Sequence, residues 1–254
     1  MSFTSAIAPT PVIPALPAAD SVLSLLAQYQ LMPQFWREHI VDQAIAPIHC
    51  TAEETAEALH QFFAQRQLTT EEAQQAWVAQ ANIDETQLEA IATRSLRITK
   101  FKEIAFGVKL ESYYLNRARQ LDTVVYSLIR LKDPGIAHEL YFRIESGEQS
   151  FADLSRRYSL GSEAGNQGIV GPVELGNMHP ALAKLLRSSH PGELHMPMPL
   201  GEWVIIVRLE KLTPVQFDEA LRQRLLNELF EQWLQEQMGQ LPESHRAWLM
   251  PTAA

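Results

Sequence analysis

Between Ser159 and Leu182 the chain reads SLGSEAGNQGIVGPVELGNMHPAL, and Gly161, Gly165, Gly168, Gly171 and Gly176 all fall inside it. They are five of the eleven glycines in 254 residues. Glycine reaches positive φ without steric cost, so the expected structure here is a series of tight turns between packed elements. A phosphate cradle is excluded by chemistry and spacing. A Walker loop ends in Gly-Lys-Ser/Thr, yet this stretch has no lysine until Lys184, and the glycines do not fall in the Gly-x-Gly-x-x-Gly spacing of a dinucleotide fold.

Composition bounds the rest. The chain is 46% hydrophobic and 20% charged, enough to bury a core in one large or two modest domains. A net charge of −9 argues against a basic face for nucleic acid or anionic membrane. Cys50 is the one cysteine, so no intramolecular disulfide forms, which suits a reducing compartment. The first residues lack the basic region of a secretory signal, Pro9, Pro11, Pro14 and Pro17 interrupt them, and no apolar run reaches a membrane span. A soluble, cytoplasmic protein is expected. It should have no nucleic-acid partner and no membrane insertion, with residues 1–19 as an extended Pro/Ala-rich leader. No cofactor is expected. His190 and His195 have no Cys or acidic partners at metal-ligand spacing, and there is no Gly-x-Ser-x-Gly elbow for a serine hydrolase.

Residues 20–121 read as helices separated by short loops. Thr51 with Glu54, Thr69 with Glu72 and Asp84 with Gln87 each have capping-box spacing. Leu59, Phe62 and Phe63 then share one helical face. The pattern changes at DTVVYSLIRLKD, residues 122–133, which predicts a strand. Short helices are expected over 135–146, 151–158 and 180–188. An extended piece follows from His195, with a turn at Leu200–Gly201 and a β-run from Trp203 to Leu209. Beyond Pro214, Phe217, Leu221, Leu225, Leu229 and Trp233 lie four apart, with Leu226 and Phe230 widening the stripe. So apolar a helix must dock, and the N-terminal helices are the expected surface.

Three ordered segments within residues 122–212 carry a family likeness. SGEQSFADLSRRYS, through Gly147, Phe151, Leu154, Tyr158 and Ser159, resembles the G-x-x-F-x-x-L-A-x-x-Y/F-S element of the parvulin peptidyl-prolyl isomerases. GNQGIVGPVELGNMHPAL, through Gly168, Gly171, Gly176, Met178, Pro180 and Leu182, is similar to that family's glycine loop. PGELHMPMPLGEWVIIVRLEKL, through Gly192, Glu193, Pro197, Gly201, Ile205 and Ile206, resembles its closing β-run. The wider layout looks like the SurA and PrsA chaperone isomerases. It looks still more like cytoplasmic relatives without a signal peptide, such as the parvulin-like maturation factors of nitrogenase iron protein.

The resemblance implies an α+β fold: a parvulin-like domain, 122–212, of a small antiparallel sheet flanked by helices. It would be inserted between an all-helical N-terminal lobe, 20–121, and a C-terminal segment, 213–254, whose helix packs on that lobe. It implies a proline pocket at Met178 and Leu182, joined by Ile169, Val173 and Val204. It also places three polar family positions on residues that have lost the chemistry. The first-strand histidine falls on Ser127, the loop Cys or Asp on Leu160 or Gly161, and the last-strand histidine on Trp203 or Val204. His179, His195, Glu163 and Asn166 lie in the same segments, His195 being expected at the surface. Two functions follow from the likeness. One is a peptidyl-prolyl cis/trans isomerase and folding chaperone with a degenerate polar site, acting on unfolded or partly folded clients and X–Pro peptides. The other is an inactive peptide-binding chaperone or adaptor, a maturation or export factor on the same fold.

Overall fold

The computed structural model describes residues 19–246. The leader expected over 1–19 lies, apart from Ala19, outside the described residues, as does the tail from 247. The chain divides into two compact units: residues 107–225, and a unit formed by residues up to 106 together with those from 226 onward.

The second of these is helical. It contains α1 (Ala19–Gln28), α2 (Met32–Ile45), α3 (Ala52–Gln65) and α4 (Glu71–Ala81), the first part of α5 (Glu85–Leu121), most of α9 (Glu219–Gly239), and α10 (Glu243–Arg246). Polar caps set the helix starts. Thr51 accepts from the Glu54 amide while the Glu54 carboxylate accepts from the Thr51 amide at 2.7 Å, a reciprocal capping box. Asp84 and Gln87 do the same at 2.7 and 2.9 Å and open α5. The middle cap sits one residue later than expected: Thr70, not Thr69, accepts from the Ala73 amide. The helix that the Asp84 cap opens runs unbroken over 85–121, 37 residues. It holds no proline and a single glycine, Gly107, so nothing in it forces a break.

Within this unit Phe230 and Trp233 pack on Phe101, ring centroids 6.2 and 5.1 Å apart, and Arg37 grips Glu231 at 2.6 and 2.9 Å. The buried line of α9 runs Leu221, Leu225, Leu226, Phe230 and Leu234, and Phe217 precedes the helix and is exposed. A four-residue step overshoots the turn of about 3.6 residues, so a stripe kept strictly four apart drifts around the helix.

The other unit holds β1 (Thr123–Leu131), α6 (Pro134–Glu145), α7 (Phe151–Tyr158), β2 (Ile169–Glu174), α8 (Pro180–Ser188), β3 (Leu194–Leu200) and β4 (Trp203–Thr213). The strands form one antiparallel sheet in the order β2-β1-β4-β3. Strand alternation splits its side chains between two cores. Ile129, Leu131 and Ile206 pack under α6 and α7 with Leu140, Phe151 and Leu154. Tyr126, Leu128, Ile205 and Val207 pack on the opposite side with Leu182 and Leu186 of α8.

The glycine segment is not wholly loop, because β2 runs through it and pairs Tyr126 with Val170. Of its five glycines only Gly168 (φ +86°) and Gly171 (φ +115°) occupy the left-handed region. At Gly171 a Cβ would lie 2.5 Å from the Val124 carbonyl oxygen, so this edge strand closes on β1 only with glycine there.

Candidate functional site

On the α8 side of the sheet, where the rim of the glycine segment leaves the core open, lies a cleft of about 590 Å³. Its apolar side is made by Leu128 of β1, Val173 of β2, Met178, Leu182 of α8, Leu200 of β3, and Trp203 and Ile205 of β4. Pro180 starts α8 with its fixed φ, and His179 caps the helix, its Nδ1 accepting from the Ala181 amide at 3.2 Å. Leu182 is thereby turned into the core beneath the cleft, 4% exposed. Trp203 stands at one end, with the Lys132 ammonium 4.2 Å from its ring centroid and held by Glu202 at 2.5 Å.

The polar side is built around one buried carboxylate. The Glu163 side chain is 1% exposed. It accepts Arg130 Nε at 3.0 and 3.1 Å, Arg130 Nη2 in a shorter bond, and the Ser159 hydroxyl at 2.6 Å. Ser159 Oγ in turn accepts the Arg130 backbone amide at 2.9 Å. Burial works against the Glu163 charge, but the hydrogen bonds from Arg130 and Ser159 outweigh it and hold the carboxyl below its ordinary range. The same pairing raises the Arg130 guanidinium further. Burial pushes the Tyr126 phenol up, so the hydroxyl beside this pair stays neutral.

Four of the five residues expected to bind substrate, Met178, Leu182, Ile169 and Val173, line this cleft. Val204 does not. It packs against the α6/α7 core, because its neighbours Trp203 and Ile205 take the cleft side. Ser127 is also displaced from its expected role. It shares the face of Ile129 and Leu131, is 1% exposed, and donates to Glu210 at 2.5 Å; Leu128 occupies the cleft side instead. Alternation on a strand makes a one-residue shift in alignment a change of face. Gly161 is not among the lining residues. It lies directly behind the ion pair, its missing side chain leaving room for Glu163 and Arg130. Trp203 lies at the cleft.

His195, expected at the surface, is mostly covered, with Nε2 2.6 Å from the Ser189 hydroxyl. Among the described residues no group of His, Cys, Asp and Glu has the arrangement of a metal site, and no helix is long and apolar enough to cross a membrane. Sequence reasoning missed Arg130, Tyr126, Leu128, Leu200 and Ile205 as cleft residues. For Arg130 the signal was present: every second residue from Tyr126 faces one way, and Arg130 is the charged member of that row.

The Rotamase family, PPIC-type PPIASE domain, matches residues 135–211. This domain belongs to the parvulin-type peptidyl-prolyl isomerase family. Two chaperones named SurA are similar in sequence. The one from Bordetella avium is 32% identical over 105 residues, covering 37% of this chain and 21% of that protein. That from Bordetella pertussis is 34% identical over 91 residues, covering 35% and 17%. The matched stretch thus spans about a fifth of these relatives' length. Among solved structures, the peptidylprolyl isomerase PrsA from Bacillus cereus is 18% identical with a TM-score of 0.47, over 91% of this chain and 85% of that one.

Proposed function

We propose that the parvulin domain binds X–Pro segments of unfolded or partly folded clients and accelerates their cis/trans exchange, serving protein folding. The observation that carries this reading is the cleft itself. Met178, Leu182, Leu128, Ile205 and Val173 leave an open apolar slot fit for a prolyl ring, beside a fixed cation. The barrier, about 18–20 kcal/mol, is set by amide resonance, and no bond need break. An apolar pocket that seats the ring and strips water from the amide favours the less polar twisted state over both planar ones.

The polar side departs from the family pattern. Ser127, where the family's first-strand histidine was expected, faces away and Leu128 takes the cleft side of β1, while Trp203 takes it on β4, so neither strand offers a histidine to the cleft. This favours a second reading: a peptide-holding chaperone, or a maturation factor for one client, without catalysis.

Exchange NMR on a panel of X–Pro peptides separates the two. Acceleration by catalytic amounts of the protein, weakened by Met178→Ala, supports the isomerase. Peptide resonances that shift or broaden without faster exchange would leave the binding module.

A further inference from the structure

We infer that Arg130 supplies the polar contact of the isomerisation step, donating from Nη1 to the prolyl nitrogen as the X–Pro bond twists; this rests on the prolyl-cleft reading above. In a planar amide the nitrogen lone pair is delocalised into the carbonyl and accepts no useful hydrogen bond. At the perpendicular geometry the pair is localised on nitrogen, and the carbonyl oxygen becomes the poorer acceptor. A donor aimed at nitrogen therefore binds the twisted state more tightly than either planar state and speeds exchange. One aimed at oxygen would hold the amide planar and slow it. The guanidinium keeps its proton throughout, so no proton is transferred and no bond is made or broken.

Placement and preorganisation both favour this atom. Arg130 is two residues beyond Leu128 on the cleft side of β1 and pairs across the sheet with Ile205, which puts it where the apolar slot meets the polar rim. Nε and Nη2 are occupied by Glu163, whereas Nη1 has no partner among the described residues, and the side chain is 33% exposed. Glu163 and Ser159 act as positioning residues. The buried carboxylate clamps one edge of the guanidinium fork, and Ser159 ties both that carboxylate and the Arg130 backbone. The donor is thus fixed before substrate arrives, the condition under which such a contact contributes most to rate.

The test compares wild type with Arg130→Lys and with Arg130→Met combined with Glu163→Leu, the double change avoiding an unpaired buried charge. Exchange NMR at saturating X–Pro peptide gives the rate, chemical-shift titration gives Kd, and the amide fingerprint reports the fold. The double variant is expected to lose roughly 10- to 100-fold in exchange rate with less than about threefold change in Kd, as for a charge-assisted hydrogen bond made only in the transition state. Arg130→Lys should recover part of that rate. A folded double variant as fast as wild type, or a loss wholly in Kd, overturns the assignment of Arg130 and leaves the isomerase reading standing. A wild type that binds peptide without accelerating exchange overturns both.

Discussion

One methyl group at Gly161 isolates what the Arg130–Glu163 pair contributes. Gly161 has φ −102° and ψ 173°, extended backbone that alanine adopts freely, so Gly161→Ala acts through space alone. The added Cβ would fall 2.5 Å from Glu163 Oε1, and closer still to Oε2 and to Arg130 Nε. The pair must therefore move, and its hydrogen bonds to Ser159 and to each other must stretch or break. Leaving a buried carboxylate without its cation costs about 3–5 kcal/mol, and swinging toward the partly exposed side of Arg130 recovers some of that, so a loss of about 2–4 kcal/mol is expected. Urea denaturation of the full chain followed by amide fingerprint gives the stability of the domain, and X–Pro exchange should fall with it. The control is Gly165→Ala, where a Cβ meets nothing within 4 Å, and a change within about 0.5 kcal/mol is expected. If the two variants prove equally stable and equally active, the pair does not organise the cleft and the reasoning fails.

Three further outcomes follow from the same geometry. Because the Glu163 carboxyl is held below its ordinary range, its contribution is fully present above the unfolded-state pKa of about 4.3 and is lost as pH falls through the lower folded value. Acid titration of stability should therefore be shallower below pH ~5 in Glu163→Gln than in wild type, and equal slopes would contradict the assigned pairing. Leu182→Ala, in a buried cleft position, should cost about 2–5 kcal/mol and weaken peptide binding in a shift titration. Val204→Ala, on the α6/α7 side, should cost about 1–2 kcal/mol for its two lost methyl groups and leave peptide Kd unchanged.

Where periodicity and motif agreed, the chain was readable. The β1 run, the helices from Pro134 to Tyr158, α8 and β4 lie within a residue or two of expectation at most of their ends, because alternation, caps and turn residues there point to the same element. Reading failed where local signals conflict. Glycines at 168 and 171 mask β2, whose pairing with β1 depends on a partner more than forty residues away in sequence. At Thr69 and Thr70 the box partner Glu72 points to the first hydroxyl, yet the second makes the cap. The site was harder to read than the fold, since an alignment that puts Ser127 rather than Leu128 in the histidine column inverts every side chain of β1. The Arg130–Glu163 pair joins residues 33 apart whose meeting no motif announces.

The division of the chain has a consequence for order of assembly. Residues 107–225 are contiguous, and their sheet draws on nothing outside that stretch. The helical unit, by contrast, needs both ends of the sequence: Phe101 and Phe106 wait for Trp233, and Arg37 waits for Glu231. When domains fold as units as they emerge, the contiguous unit and its cleft are therefore complete before Trp233 and Glu231 arrive to close the helical one.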